Sequence, residues 1–85
     1  MAKLTSMMNI GGEMARKLTA VGIDSPESMM ETGSMQAFAK LKQAYPRVCL
    51  VHLYALEGAI QHVEFNHLSA DRKMELREFS DQIQR

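Results

Sequence analysis

The apolar positions of this chain concentrate in one stretch, residues 48–63, with the sequence VCLVHLYALEGAIQHV. At 100° per residue, a dense apolar stripe runs along it through Cys49, Leu53, Leu56, Ile60 and Val63. Its N-terminal half is apolar on nearly every side. Such a helix is either buried or membrane-spanning, and this one is short for a span and carries polar residues. We therefore predict a central core helix over residues 48–63, with Cys49 as a buried small hydrophobe.

Helical spacing and helix-ending residues recur on both sides of this stretch, and no alternating strand pattern interrupts them. Further helices are predicted at residues 3–8, at residues 12–21, from residue 25 to before residue 33, at residues 34–45, and from residue 69 to residue 83. Ser25, Ser34 and Ser69 are predicted N-caps, and Gly22 is a predicted left-handed C-terminal residue. Gly58, inside the central helix, predicts a close approach by another part of the chain. The sequence thus predicts a single all-α domain over residues 1–85, with five or six short helices around a buried central helix.

Composition and charge limit the classes of function that are expected for this chain. The 85 residues are 46% apolar and 24% charged, and ten basic side chains balance ten acidic ones, which argues against a strong nucleic-acid binder. The positive side chains are in excess in residues 1–47 and the negative ones in residues 48–85. One cysteine, with no signal-peptide pattern and no long apolar run, predicts a cytoplasmic protein that does not enter a membrane.

The turn between the first two predicted helices, residues 8–15, is the strongest candidate for binding. Two successive glycines leave backbone amides uncovered at the start of the second helix, where the helix dipole favours an anion. Helix-hairpin-helix modules hold a nucleic-acid phosphate in this way, without reading bases. A purely structural turn has the same spacing and stays an alternative. The predicted contact residues for a DNA backbone are Lys3, Asn9, Ile10, Gly11, Gly12, Glu13, Arg16 and Lys17.

Three segments of the chain resemble the C-terminal domain of TfoX (Sxy) proteins, bacterial regulators of competence for DNA transformation. They are Asn9-Ile10-Gly11 followed by Ala15-x-x-Leu18-x-x-Val21-Gly22-Ile23, then Leu53-Tyr54-Ala55-Leu56-Glu57-Gly58-Ala59, and finally Asn66-x-Leu68 with Arg72-Lys73-x-Glu75-Leu76. The resemblance implies an all-helical domain with a helix-hairpin-helix-like start and a non-enzymatic regulatory role. Family members also carry an N-terminal domain, so this chain is expected to be a stand-alone copy.

Two positions of the turn depart from similar sequences. Asn9 stands where glycine is frequent, a mild change because asparagine tolerates left-handed geometry. Gly12-Glu13 stands where Pro-Lys is frequent, and a carboxylate beside a phosphate site repels the phosphate.

No catalytic or metal-binding set is predicted, and no cofactor. His52, His62 and His67 do not form a closed ligand set, and Cys49, His52 and Glu57 are expected to point in different helical directions. The alternative function is a protein-interaction module or a small homodimer. Its predicted apolar surface consists of methionines near the first and third helices, namely Met7, Met8, Met29 and Met30.

Overall fold

A computed structural model describes residues 3–83, which contain five α-helices and no strand. The helices are α1 (Gly12–Ala20), α2 (Pro26–Thr32), α3 (Ser34–Ala44), α4 (Leu50–Gln61) and α5 (Ala70–Ile83), with single 3-10 turns at Leu4–Ser6 and Phe65–His67. The predicted all-α class is confirmed. The predicted first helix is wrong, because only one 3-10 turn forms before the backbone becomes extended at Met7. The link after α4 contains the second 3-10 turn.

One apolar core joins all five helices. Its fully buried large side chains include Leu18 from α1, Met29 from α2, Phe38 and Leu41 from α3, Leu53 and Leu56 from α4, and Leu76 from α5. These positions recur at helical spacing, so each helix buries one face and leaves the other to solvent. No helix within residues 3–83 has the length and apolar character needed to cross a membrane.

Local sequence signals set most helix ends. Ser25 caps α2 by accepting the Ser28 amide at 3.1 Å, and Ser69 accepts the Arg72 amide at 3.1 Å, as predicted. Helix α1 ends in a Schellman motif around Gly22, whose φ is +92°. In it the Ile23 amide donates to the Leu18 carbonyl at 2.9 Å, and both side chains are buried.

Ser34 is not an N-cap, which corrects that prediction. Gly33, with φ +82°, occupies the capping position, and Ser34 is the first residue of α3. The Ser34 hydroxyl instead donates to Oε1 of Glu57 at 2.5 Å in the protein interior. This hydroxyl is therefore held by a carboxylate from another helix and does not cap α3.

Helix α4 is shorter than predicted and is not buried on all sides. Leu53, Leu56, Glu57, Gly58 and Ala59 are buried, but Val51 is 54% exposed. The prediction of a buried Cys49 is wrong, since Cys49 is the exposed N-cap residue of α4. Val48 takes the core position at this end of the helix, being 2% exposed, and the chain enters α4 at the surface.

The Glu57 carboxylate joins three helices. Its Oε1 accepts hydrogen bonds from Ser34 of α3 at 2.5 Å and from Arg72 of α5 at 3.0 Å, and Gln61 donates to Oε2. Burial raises the pKa of this carboxyl, but the hydrogen bonds from Arg72, Ser34 and Gln61 outweigh it and hold the pKa below its usual range.

Candidate functional site

The turn before α1 is held against the end of α4 by Asn9. This residue adopts a left-handed conformation with φ 71°. Its side-chain Nδ2 donates to the Val63 carbonyl at 2.9 Å and to the Ala55 carbonyl at 3.4 Å. The close approach requires Gly58, because a Cβ there would lie 2.5 Å from Asn9 Nδ2 and 2.6 Å from the Val63 oxygen. The Asn9 amide is thus a structural clamp and is not free for a ligand.

Ile10 completes the attachment of the turn. Its side chain is 5% exposed, and its amide donates to the Met7 carbonyl at 3.2 Å. Of the residues predicted to contact a DNA backbone, Ile10 is therefore buried, and Asn9 directs its side-chain NH2 group to the end of α4. They hold the turn while the residues that follow them face solvent.

The start of α1 is open to solvent. Gly11, the N-cap residue, has extended backbone geometry and no side chain that accepts a hydrogen bond from the first turn. Gly11, Gly12 and Glu13 are all exposed. The first amides of a helix lack intrahelical acceptors and carry the positive end of the helix dipole, so this end of α1 has the local chemistry of an anion site.

Charges next to this site partly cancel each other. Arg16 pairs with Glu13 at 2.6 Å, and Lys17 lies 4.0 Å from the same carboxylate oxygen. The hydrogen bond from Arg16 and its positive charge hold the pKa of Glu13 below its usual range, so Glu13 is ionised at neutral pH. Lys17 also lies 5.4 Å from the centre of the Tyr45 ring.

Except for the buried Ile10, the predicted contact residues divide between two cavities on either side of α1. Lys3, Gly12 and Arg16 meet in one of about 570 Å³, together with Thr5 and Thr19; we call it the outer α1 cavity. Its remaining lining residues are Leu4, Ala15 and Asp24.

The second cavity, of about 390 Å³, separates α1 from α4, and we call it the α1–α4 groove. Asn9, Gly11, Glu13 and Lys17 line it, so the structure separates Lys17 from Lys3 and Arg16. The other lining residues are Met14, Val51, His52, Ala55 and Phe65.

The four methionines predicted to form an apolar surface behave in two ways. Met7 and Met29 are 7% and 0% exposed and belong to the core. Met8 and Met30 are 43% and 51% exposed.

Sequence analysis missed Val51 and Phe65, which are 54% and 42% exposed in the α1–α4 groove. Val51 and Ala55 are four residues apart in α4 and therefore lie on the same side of the helix, which could have indicated this surface. The stretch is apolar on nearly every side, so this one side did not stand out.

Cys49 and His52 lie closer together than predicted. Nδ1 of His52 accepts a hydrogen bond from the Cys49 amide at 3.0 Å and lies 3.5 Å from the Cys49 sulfur, at the start of α4. Glu57 lies on the other side of α4, in the interior, so the three do not form one site. Within residues 3–83 there is no cluster of three or more His, Cys, Asp or Glu side chains able to hold a metal ion.

Similar proteins support the sequence resemblance. Two crystal structures of proteins from Listeria monocytogenes, one described as uncharacterized and one as of unknown function, have the same fold. The first, in a triclinic form, is 34% identical with a TM-score of 0.94, and the match covers 96% of this chain and 93% of the other. The second, in a tetragonal form, is 34% identical with a TM-score of 0.91, and the match covers 94% and 98%. No curated protein matches with significance. The model of the TfoX C-terminal domain matches residues 1–80, and this chain therefore belongs to the TfoX C-terminal domain family.

Proposed function

We propose that this domain is a non-enzymatic regulatory module that contacts a nucleic-acid backbone through the start of α1. The main support for this proposal is the outer α1 cavity, where Lys3 and Arg16 flank the first turn of α1 at Gly12, which no side chain caps. Backbone amides and flexible basic side chains around one cavity suit a phosphate group and carry no base preference. Family membership supports a role in regulation, and competence or transcription are the expected settings.

The contact is expected to be weak. The formal net charge is zero, and Glu13 neutralises part of the charge of Arg16 and Lys17. With two or three phosphates neutralised, the logarithm of affinity should fall with the logarithm of salt concentration at a slope of roughly −2 to −3. The turn resembles a helix-hairpin-helix only in its second helix, since one 3-10 turn replaces the first.

Exchanging the charge of Glu13 tests this function. In Glu13→Lys, one repulsive charge is removed and one attractive charge is added next to the amides. After screening the gain is about 1 kcal/mol, or several-fold in affinity for duplex DNA at low salt. Glu78→Lys, at an exposed position on α5, is the matched control because it changes the net charge equally. Binding is measured by fluorescence anisotropy with labelled duplex at two salt concentrations.

Gly11→Val is the companion variant. Nothing lies within 4 Å of a Cβ at residue 11, so a side chain meets no clash at that atom, and the branched valine is expected to cover the amides. Combined with Glu13→Lys, it should abolish the gain. If Glu13→Lys binds no better than the parent, or no better than Glu78→Lys, the turn is structural and the nucleic-acid function is rejected.

A second candidate function is weak self-association. Met30 is half-exposed at a surface cavity with Ser6, Pro26 and the edge of Met7. An exposed methionine beside a concave apolar surface is a recurrent feature of adaptable protein contacts. This candidate keeps Met8 and Met30 from the predicted methionine surface and omits the two buried ones.

A further inference from the structure

The α1–α4 groove lies beside the proposed phosphate site but has different chemistry. Its apolar walls are Val51 and Phe65, with the half-buried Met14 and Ala55 between them. Among the described residues, five large hydrophobic side chains are exposed, and Val51 and Phe65 are two of these. Adjacent exposed apolar side chains around a concavity mark a binding surface more specifically than scattered ones do.

The groove continues into a basic cavity. Lys17 and His52 line the α1–α4 groove and also the neighbouring cavity at the junction of α3 and α4, which adds Tyr45 and Arg47. The two cavities therefore form one continuous surface with an apolar half and a basic half. Arg47 is exposed and forms no ion pair within residues 3–83.

We infer that this continuous surface is a docking site for an acidic amphipathic segment of a partner protein. Charge complementarity selects this occupant. Apolar side chains of the segment cover Val51 and Phe65, and an acidic side chain about one turn further along reaches Arg47 and Lys17. A nucleic-acid strand fits less well, because its phosphates would continue past Glu13 and its sugars would lie on the apolar walls, whereas a peptide places its acidic side chain only at the basic half.

The inference does not depend on the phosphate site, and its test uses different variants. A library of randomised helical peptides, roughly four turns long, is displayed and selected on the full chain. The selected sequences should share two apolar residues three or four positions apart and an Asp or Glu about one turn away. Absence of any enriched sequence, or enrichment of basic ones, overturns the inference.

The best selected peptide is then titrated against variants by fluorescence anisotropy. Val51→Ser and Phe65→Ser should each weaken binding roughly tenfold, since each removes apolar surface that the peptide covers. Met74→Ser is the matched control, because Met74 is exposed on α5 and lies outside the groove. Equal losses in Met74→Ser and Val51→Ser overturn the inference.

Charge reversal tests the basic half. Arg47→Glu should weaken an acidic peptide by roughly two- to fivefold and improve its lysine-substituted counterpart. Lys40→Glu, at an exposed position on α3, is the control for net charge. An unchanged preference in Arg47→Glu overturns the assigned occupant. So does a dimer of the parent chain that Val51→Ser dissociates, because a second copy would then fill the groove. The assigned occupant is also overturned if duplex DNA displaces the bound peptide more readily than other acidic peptides do.

Discussion

Replacing Gly58 with alanine should destabilise the fold, although alanine is the better helix former. In an unobstructed helix this exchange stabilises by about 1 kcal/mol. Here the new Cβ would lie 2.5 Å from Asn9 Nδ2 and 2.6 Å from the Val63 carbonyl oxygen. One of these atoms is the Val63 backbone oxygen, so relief requires the segment after α4 to move away from Gly58, in addition to a shift of the Asn9 side chain.

The magnitude follows from what that movement breaks. Overpacking costs about 1–3 kcal/mol. Weakening the two Asn9 hydrogen bonds adds about 1 kcal/mol for each bond lost. After the gain in helix propensity of about 1 kcal/mol, the net loss is about 1–3 kcal/mol if one bond is lost and about 2–4 kcal/mol if both are lost. Each kcal/mol lowers Tm by about 4–8 °C in a domain of this size.

Urea unfolding followed by circular dichroism measures this loss, with Gly12→Ala as the control. Nothing lies within 4 Å of a Cβ at residue 12, so that variant should be neutral or slightly stabilised. A second comparison uses Asn9→Gly, which keeps the left-handed backbone and removes the amide. Gly58→Ala should cost less in that background. If Gly58→Ala is as stable as the parent, the described contact between the turn and α4 is wrong.

Three further results are expected. The pKa of Glu57 is lower in the folded chain than in the unfolded chain, so ionised Glu57 stabilises the fold fully above about pH 4.3 and loses this effect as pH falls through the folded value. Parent and Glu57→Gln should therefore differ most in free energy of unfolding near pH 7 and converge in acid; a constant difference contradicts this. Ser25→Ala should cost about 1 kcal/mol in chemical denaturation through loss of the α2 cap, and an unchanged midpoint would show that the cap contributes nothing. Sedimentation across a wide concentration range should show a weak dimer that Met30→Ser reduces, whereas a strict monomer at high concentration rejects self-association.

The features that could be read from the sequence depend on neighbours within about four residues. The Ser25 cap and the Schellman motif at Gly22 are of this kind, since both partners of each hydrogen bond lie in the same short segment. The all-α class follows because such local signals agree along the whole chain. The start of α1 was located correctly for the same reason.

The errors concern which side of an element meets the rest of the protein. Met29 and Met30 are equally apolar, and only the packing of α2 on the core determines that the first is buried and the second exposed. Cys49 was assigned to the buried stripe because the predicted helix began two residues too early. The long-range partners of Asn9 have no local signature, so the sequence did not indicate its hydrogen bonds to the Ala55 and Val63 carbonyls.

The Asn9 clamp also has a consequence for the order in which the chain folds. Its two hydrogen bonds join residues 46 and 54 positions apart, and closing a loop of this length costs roughly 3–4 kcal/mol of chain entropy. Helices α3 and α4 are near neighbours in the chain and can pair without that cost. The N-terminal turn is therefore expected to dock last and to detach first, so the amides of residues 10–13 should exchange with solvent before those of α4. The end of the domain that carries the proposed site would then be the part with the lowest opening free energy. Local opening of this end, and not global unfolding, would limit how long the proposed site stays formed.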